Sequence, residues 1–283
     1  MFLAALLATP PAAAPTTAWD AKTNGSPKTY HIQGLTLTLE SGKDADGDVV
    51  PTLTIATPGS APTEFDGEAG FDHATASFGI GHFDPKVPGP QIEFASFTGG
   101  AHCCASISVI EPLGKSWKEV PLGEWDGDVP DKMPTDVDGD GTADFVFYDN
   151  DFLYAFDSYA ASFAPPQIFN VIADKAIDVS TAPRYRKLYE ADMASTKPEC
   201  AKHQNGACAA FAADAARLGR FDDAWKFAIA NYDKQSDWDY PTHCAGSMQH
   251  GKCMGKVVKP KGYPQALRWF LEDNHYISKQ PGD

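Results

Sequence analysis

Up to Pro183 the apolar residues of this chain recur mostly at every second position, and beyond it they recur at helical spacing. That change of period constrains the fold more than any other feature. Alternation buries one face of a strand, whereas a 3.6-residue recurrence buries one stripe of a helix. Leu35-Thr36-Leu37-Thr38-Leu39 sets three leucines on one side, and Leu53-Thr54-Ile55 repeats the habit. Similar runs lie at 92–97, 106–110, 145–148, 152–156 and 168–172, with Gly, Pro, Asp and Asn between them. Many short strands at turn-sized spacing predict an all-β domain. Further on, residues 208–218 are dominated by alanine, and Gly219 stands where a glycine ends a helix. A second helix is predicted over 221–232, with Asp222 and Asp223 complementing the dipole of its first turn. A third begins at Tyr263, with Pro264 near its start.

Charge changes at the same place. Up to Pro183 there are eight lysines, no arginine and 26 acidic residues; from Arg184 onward 15 basic residues face 12 acidic ones. The predicted fold class is therefore α+β with segregated halves. An all-β domain, propeller-like or sandwich-like, is expected over residues 29–183, followed by a small disulfide-stapled helical domain over 184–283. The net charge of −15 disfavours nucleic acid and anionic membranes as partners. Residues 1–14 form a short apolar core ending in small residues, as in a secretory signal peptide, although without a basic leading region. Residues 15–28, rich in Pro, Thr and Lys, read as a linker. No other apolar run approaches the length of a membrane span. A periplasmic or secreted location is expected.

The densest chemistry lies in Asp136-Val137-Asp138-Gly139-Asp140-Gly141-Thr142-Ala143-Asp144, which opens directly into Phe145-Val146-Phe147-Tyr148. Carboxylates this close repel one another unless a hard cation sits among them, and oxygen-only ligands suit Ca²⁺. Gly141, sixth in the loop, permits the sharp turn around an ion. An EF-hand would carry Glu at the twelfth position and continue as a helix; here Phe147 stands there and a strand follows. The pattern D-x-D-G-D-G-x-x-D resembles the calcium loops of FG-GAP and VCBS-type β-propeller repeats. That resemblance implies Ca²⁺ held by the side chains of Asp136, Asp138, Asp140 and Asp144 and by the carbonyl of Thr142. Asp44-Ala45-Asp46-Gly47-Asp48 begins alike, but Val49 replaces the glycine and Thr52 the closing aspartate. Without a second full copy, a propeller with a loop in every blade is not supported.

Gly99-Gly100-Ala101-His102-Cys103-Cys104 is the second unusual motif. Adjacent cysteines can close a vicinal disulfide, pair with distant cysteines, or join His102 in a soft-metal site; in an exported protein disulfides outrank zinc. Together with the acidic loop some thirty residues on, the motif resembles a group of uncharacterised secreted bacterial proteins, and that resemblance brings no activity. Cys200, Cys208, Cys244 and Cys253 allow three pairings. The local pairs 200–208 and 244–253 are the simplest, and zinc with His203, His243 or His250 matches no compact module. Leu218-Gly219-Arg220-Phe221-Asp222-Asp223-Ala224-Trp225 resembles the turn of a tetratricopeptide repeat, but one hairpin is not an array.

The leading functional reading is an exported calcium-binding protein, whose ion locks a loop while the β domain meets a protein or glycan partner of unknown identity. The alternative is an exported hydrolase of glycans or phosphoesters, with Asp149, Asp151 or Asp157 as acid/base carboxylates. Gly-x-Ser-x-Gly, His-Glu-x-x-His and a phosphate-cradling glycine loop are all missing from the sequence, so no catalytic residue is assigned. Cys103-Cys104 also lacks the Cys-x-x-Cys arrangement of redox sites.

Overall fold

The computed structural model describes residues 13–70, 72–100, 103–249 and 252–279. Two compact units divide the chain. One runs up to Val146 and takes back Ile168–Val179; the other holds Phe147–Gln167 and continues from Ser180. The class is α+β, with antiparallel sheets first and helices after.

In the first unit, β1 (Thr17–Asp20) leads through a one-turn helix, α1 (Ala21–Asn24), into the meander β2 (Lys28–Ile32), β3 (Leu35–Lys43), β4 (Val49–Ala56) and β5 (Thr63–Asp66). These last four strands form one sheet in sequence order. A second meander, β6 (Thr75–Gly81), β7 (Gln91–Phe97), β8 (Cys103–Leu113) and β9 (Ser116–Asp126), takes β1 onto its free edge in the order β1-β6-β7-β8-β9. The leucines predicted onto one face of β3 meet the apolar residues of β4, Leu37 opposite Ile55 and Leu39 opposite Leu53. They share a core with Trp19, Phe78, Ile92 and Phe94 of the other sheet, so the architecture is sandwich-like.

Residues 15–28 are not a linker. Trp19 is 1% exposed in that core, and Asp20 caps α1 by accepting from the backbone N–H groups of Lys22 and Thr23. Burying an indole contributes roughly 3 kcal/mol, enough to dock a segment whose Pro/Thr composition reads as loop. Of the expected leader, residues 1–12 lie outside the described residues.

β7 is buried on both faces. Ile92 and Phe94 enter the core, while Gln91, Glu93 and Ala95 alternate onto the other side. Over β6, the neighbour of β7, runs the strap of residues 130–135 that leads into the acidic loop. A Cβ on Gly79 would fall 1.7 Å from the Met133 sulfur, so the strap lies flat only because β6 offers glycine there. The strap is tied to the chain's beginning by Thr16 N–H to the Asp131 carbonyl at 3.1 Å and Met133 N–H to the Ala14 carbonyl at 2.8 Å. After the loop, β10 (Phe145–Tyr148), β11 (Pro166–Ile172) and β12 (Lys175–Asp178) form a three-stranded sheet.

The single predicted break at 183/184 differs from what is observed, because residues 147–167 belong with the helices. Phe152 and Phe156, predicted on a strand, sit instead around short 3₁₀ turns and pack edge-on against Phe270 at 4.8 and 5.0 Å. Aromatic residues four apart serve here as anchors in the helical core, and Asp149 caps the first turn through the Asp151 N–H. The helices are α2 (Arg186–Cys200), α3 (Asn205–Arg217), α4 (Phe221–Asn231) and α5 (Tyr263–Asp273). Alanines let neighbours approach α3 so closely that Asn205 to Ala215 are all buried. Gly219, at φ +69°, ends it: its own N–H reaches the Ala216 carbonyl and that of Arg220 reaches Ala215. Between α4 and α5 lie two small hairpins, β13 (His243–Ala245) with β16 (Lys256–Val258), and β14 (Met248–Gln249) with β15 (Lys252–Cys253). No helix among the described residues is long and apolar enough to cross a membrane.

Cys200 pairs with Cys208 and Cys244 with Cys253, so both local pairings form. Cys104 is buried and disulfide-bonded; His102 and the Cys103 side chain lie outside the described residues. No described cysteine is free. Thiol labelling of denatured, unreduced protein is therefore expected to find no reactive cysteine, and two labelled thiols would contradict it.

Candidate metal centre

The acidic loop is closed at its base by an antiparallel bridge between Thr135 and Asp144, with the Asp144 N–H bonded to the Thr135 carbonyl at 2.9 Å. Asp136 then organises the turn. Its Oδ1 accepts from the Gly139 N–H at 2.7 Å and the Asp140 N–H at 3.1 Å, and its Oδ2 accepts from the Gly141 N–H at 2.9 Å. Gly139 and Gly141 sit at φ +84° and +91°, a left-handed conformation that a Cβ disfavours. The loop folds inward around its first carboxylate because those two positions are glycine.

The fold brings together Asp136, Asp138 and Asp144, each offering a carboxylate oxygen within 4.8 Å of the others. Three like charges at that spacing repel by about 3 kcal/mol per pair at an effective dielectric of 20, so the trio favours a cation or a proton. The donor set is oxygen only, which fits Ca²⁺ and disfavours softer ions. Asp140 does not join the trio; it is exposed, and its Oδ1 caps the Thr142 N–H at 2.8 Å. A cavity of about 320 Å³, bordered by His82, Met133, Asp136 and Gly141, opens beside the loop.

Asp144 is 2% exposed and is held at both oxygens. Oδ2 accepts from the Val137 N–H at 2.7 Å, and Oδ1 accepts from the Asn170 side-chain amide at 2.7 Å. The same Asn170 nitrogen also reaches the Ala143 carbonyl at 3.0 Å. Asn170, fully buried on β11, thus fixes the orientation of the Asp144 carboxylate and the backbone beside it. Sequence reading missed it; the only signal was an amide inside an otherwise apolar alternation. Asn170→Ala is expected to take a donor from two buried acceptors, costing roughly 2–3 kcal/mol and weakening cation binding. Unchanged melting and calcium affinity in that variant would contradict the positioning role.

The weaker acidic candidate is a hairpin turn between β3 and β4. Asp44 Oδ1 accepts from the N–H groups of Asp46 and Asp48, and no cation trio forms there among the described residues. The carboxylates considered for hydrolysis have local duties. Asp149 is 4% exposed and accepts from the Tyr276 hydroxyl at 2.8 Å; burial raises its pKa, against the lowering effect of that bond. Asp157 caps the Ser158 N–H, and Asp151 is exposed.

Residues 183–275 match the family model described as the sll0997 C-terminal domain. An uncharacterised protein, y4bJ, of Sinorhizobium fredii is 30% identical over 281 residues, spanning 96% of this chain and 44% of its own length. The probable thylakoid lumen protein sll0997 of Synechocystis is 34% identical over 206 residues, 70% of this chain and 60% of that protein. The chain therefore spans about half the length of the curated relatives it matches. No solved structure matches it.

Proposed function

We propose that this chain is an exported calcium-binding protein in which one Ca²⁺ locks the acidic loop and the β unit meets a protein or glycan partner. The convergence of Asp136, Asp138 and Asp144 carries this reading. Asp140 and the Thr142 carbonyl complete the ligand set by likeness to FG-GAP and VCBS-type loops. The role of the ion is structural. Its ligands come from one closed loop, and the next residue, Phe145, is 2% exposed and packs edge-on against Phe83 at 5.3 Å. Neutralising the trio ties the start of β10 to the sheet behind it.

Export is supported by the two local disulfides, by the apolar first fourteen residues and by the similarity to a probable thylakoid lumen protein. Free calcium is plentiful outside the cytoplasm, so a loop of modest affinity would stay filled there. Elemental analysis of protein purified through calcium-containing buffer and freed of unbound ions should find one calcium per chain. A calcium-free protein, still folded, would overturn the reading.

A further inference from the structure

The second unit contains a cavity of about 650 Å³ beyond the end of α5, bordered by His243, Met248, Asp273, His275, Lys279 and the Cys244–Cys253 disulfide. His243 is 8% exposed and held from two directions. Its Nδ1 lies 2.8 Å from Asp273 Oδ2, and its ring stacks on Trp269 at 4.9 Å and 26°. Asp273 is itself steadied by the Lys279 ammonium, 3.2 Å from Oδ1. With Nδ1 donating to the carboxylate, the lone pair is left on Nε2, and no described residue bonds that atom. A carboxylate behind an imidazole is the usual outer partner of a metal-ligating histidine, because it fixes both tautomer and ring orientation.

A second imidazole borders the same cavity from an unusual position. α5 ends with the His275 N–H bonded to the Glu272 carbonyl at 3.3 Å and the Tyr276 N–H to Leu271 at 2.9 Å. That motif calls for glycine at its left-handed residue, as Gly219 supplies after α3, yet His275 takes it at φ +60°. His203 takes the corresponding place after α2 at φ +67°, but directs its Nδ1 to the Asn231 carbonyl at 2.6 Å. His275 makes no such bond among the described residues. Backbone strain accepted without a structural return clusters at functional sites.

The third donor is a thioether. Met248 borders the cavity and is 60% exposed, while both neighbouring cysteines are tied up as a disulfide. The cavity therefore offers imidazole nitrogen and thioether sulfur without thiolate, a donor set that suits Cu⁺. We propose that this cavity is a site for a single Cu⁺ ion, anchored by His243 Nε2, with His275 and Met248 as further ligands. Asp273 acts as a positioning residue.

The test is anaerobic titration of the whole chain with Cu⁺ against a chromophoric Cu⁺ chelator. One site is expected. His243→Gln and His275→Gly should each weaken it at least about 100-fold, and Asp273→Asn about 10–100-fold. His275→Gly keeps the test clear of misfolding, since glycine suits that turn and the melting temperature should hold or rise. Met248→Leu should weaken Cu⁺ binding and leave Zn²⁺ binding unchanged. Failure of the wild type to compete for Cu⁺, or wild-type affinity in both histidine variants, would overturn the site. Zn²⁺ held as tightly by the same residues would overturn the assignment to copper.

Discussion

Withdrawing calcium with excess chelator is expected to lower the melting temperature of the β unit by roughly 5–10 °C. An ion present at about a hundred times its dissociation constant stabilises the folded state by about 2.7 kcal/mol. Each kcal/mol moves the midpoint of a domain of 150–250 residues by about 2–4 °C. Ca²⁺ should restore the midpoint and Mg²⁺ should not, because Mg²⁺ gives up its water reluctantly for an irregular carboxylate cage. Asp144→Ala should reproduce the chelator effect and make further chelator harmless. Asp140→Ala should do less, since that carboxylate is exposed and outside the trio. An unchanged midpoint on chelation of protein shown to be calcium-loaded would contradict the structural role.

Raising the pH is expected to weaken the helical unit through a different pair of carboxylates. Asp214 on α3 is fully buried, and neither of its oxygens accepts from an N–H or O–H of the chain; Asp192 on α2 also has a buried, unpartnered oxygen. Burial, with the Asp192 charge adding to it, pushes Asp214 up to about 10 from its ordinary 3.8. Burial raises Asp192 as well, and the hydrogen bond shared with Asp214 opposes that rise, so Asp214 is the member of the pair that holds its proton longer. The Tyr148 hydroxyl feels both: desolvation of the hydroxyl raises it first, and the two aspartates after. The folded pKa of Asp214 lies above the unfolded one, so this group's contribution is fully present below about pH 4. It is lost as pH climbs toward about 10, with a slope of at most about 1.4 kcal/mol per pH unit. Asp214→Asn removes the titrating group and lets an amide donate to Asp192. It should flatten the slope and raise stability at pH 8 by roughly 2–4 kcal/mol. An identical dependence of stability on pH between 5 and 9 in wild type and variant would contradict proton sharing.

Much of this fold was legible in the sequence, for reasons particular residues make plain. The leucines of β3 alternate because one face of that strand is core and the other is threonine at the surface. Gly219 marked the end of α3 because only a residue at ease with positive φ closes that turn cheaply. Trp19 was hidden in a segment whose Pro and Thr read as linker, since one buried indole outweighs the composition around it. Phe152 and Phe156 mimicked a strand because aromatic residues in short succession score as alternation whether they face a sheet or anchor a loop. The acidic loop was legible as a spacing; Asp136, Asp138 and Asp144 come together in it, while Asp140, spaced alike, stays exposed outside the trio. Asn170, which orients Asp144, could not be read: it lies 26 residues away, and nothing local distinguishes an amide that serves a distant carboxylate from one that ends a strand. Asp192 and Asp214 were hidden likewise, since their meeting depends on how α2 folds back on α3.

Calorimetric titration of the metal-stripped chain with Ca²⁺ tests the central claim most directly, run beside Asp136→Ala and Asp144→Ala variants shown to be folded. One Ca²⁺ per wild-type chain is expected, with binding lost in both variants and little competition from millimolar Mg²⁺. No binding by the folded wild type at millimolar Ca²⁺, or wild-type affinity in the Asp144→Ala variant, would contradict it.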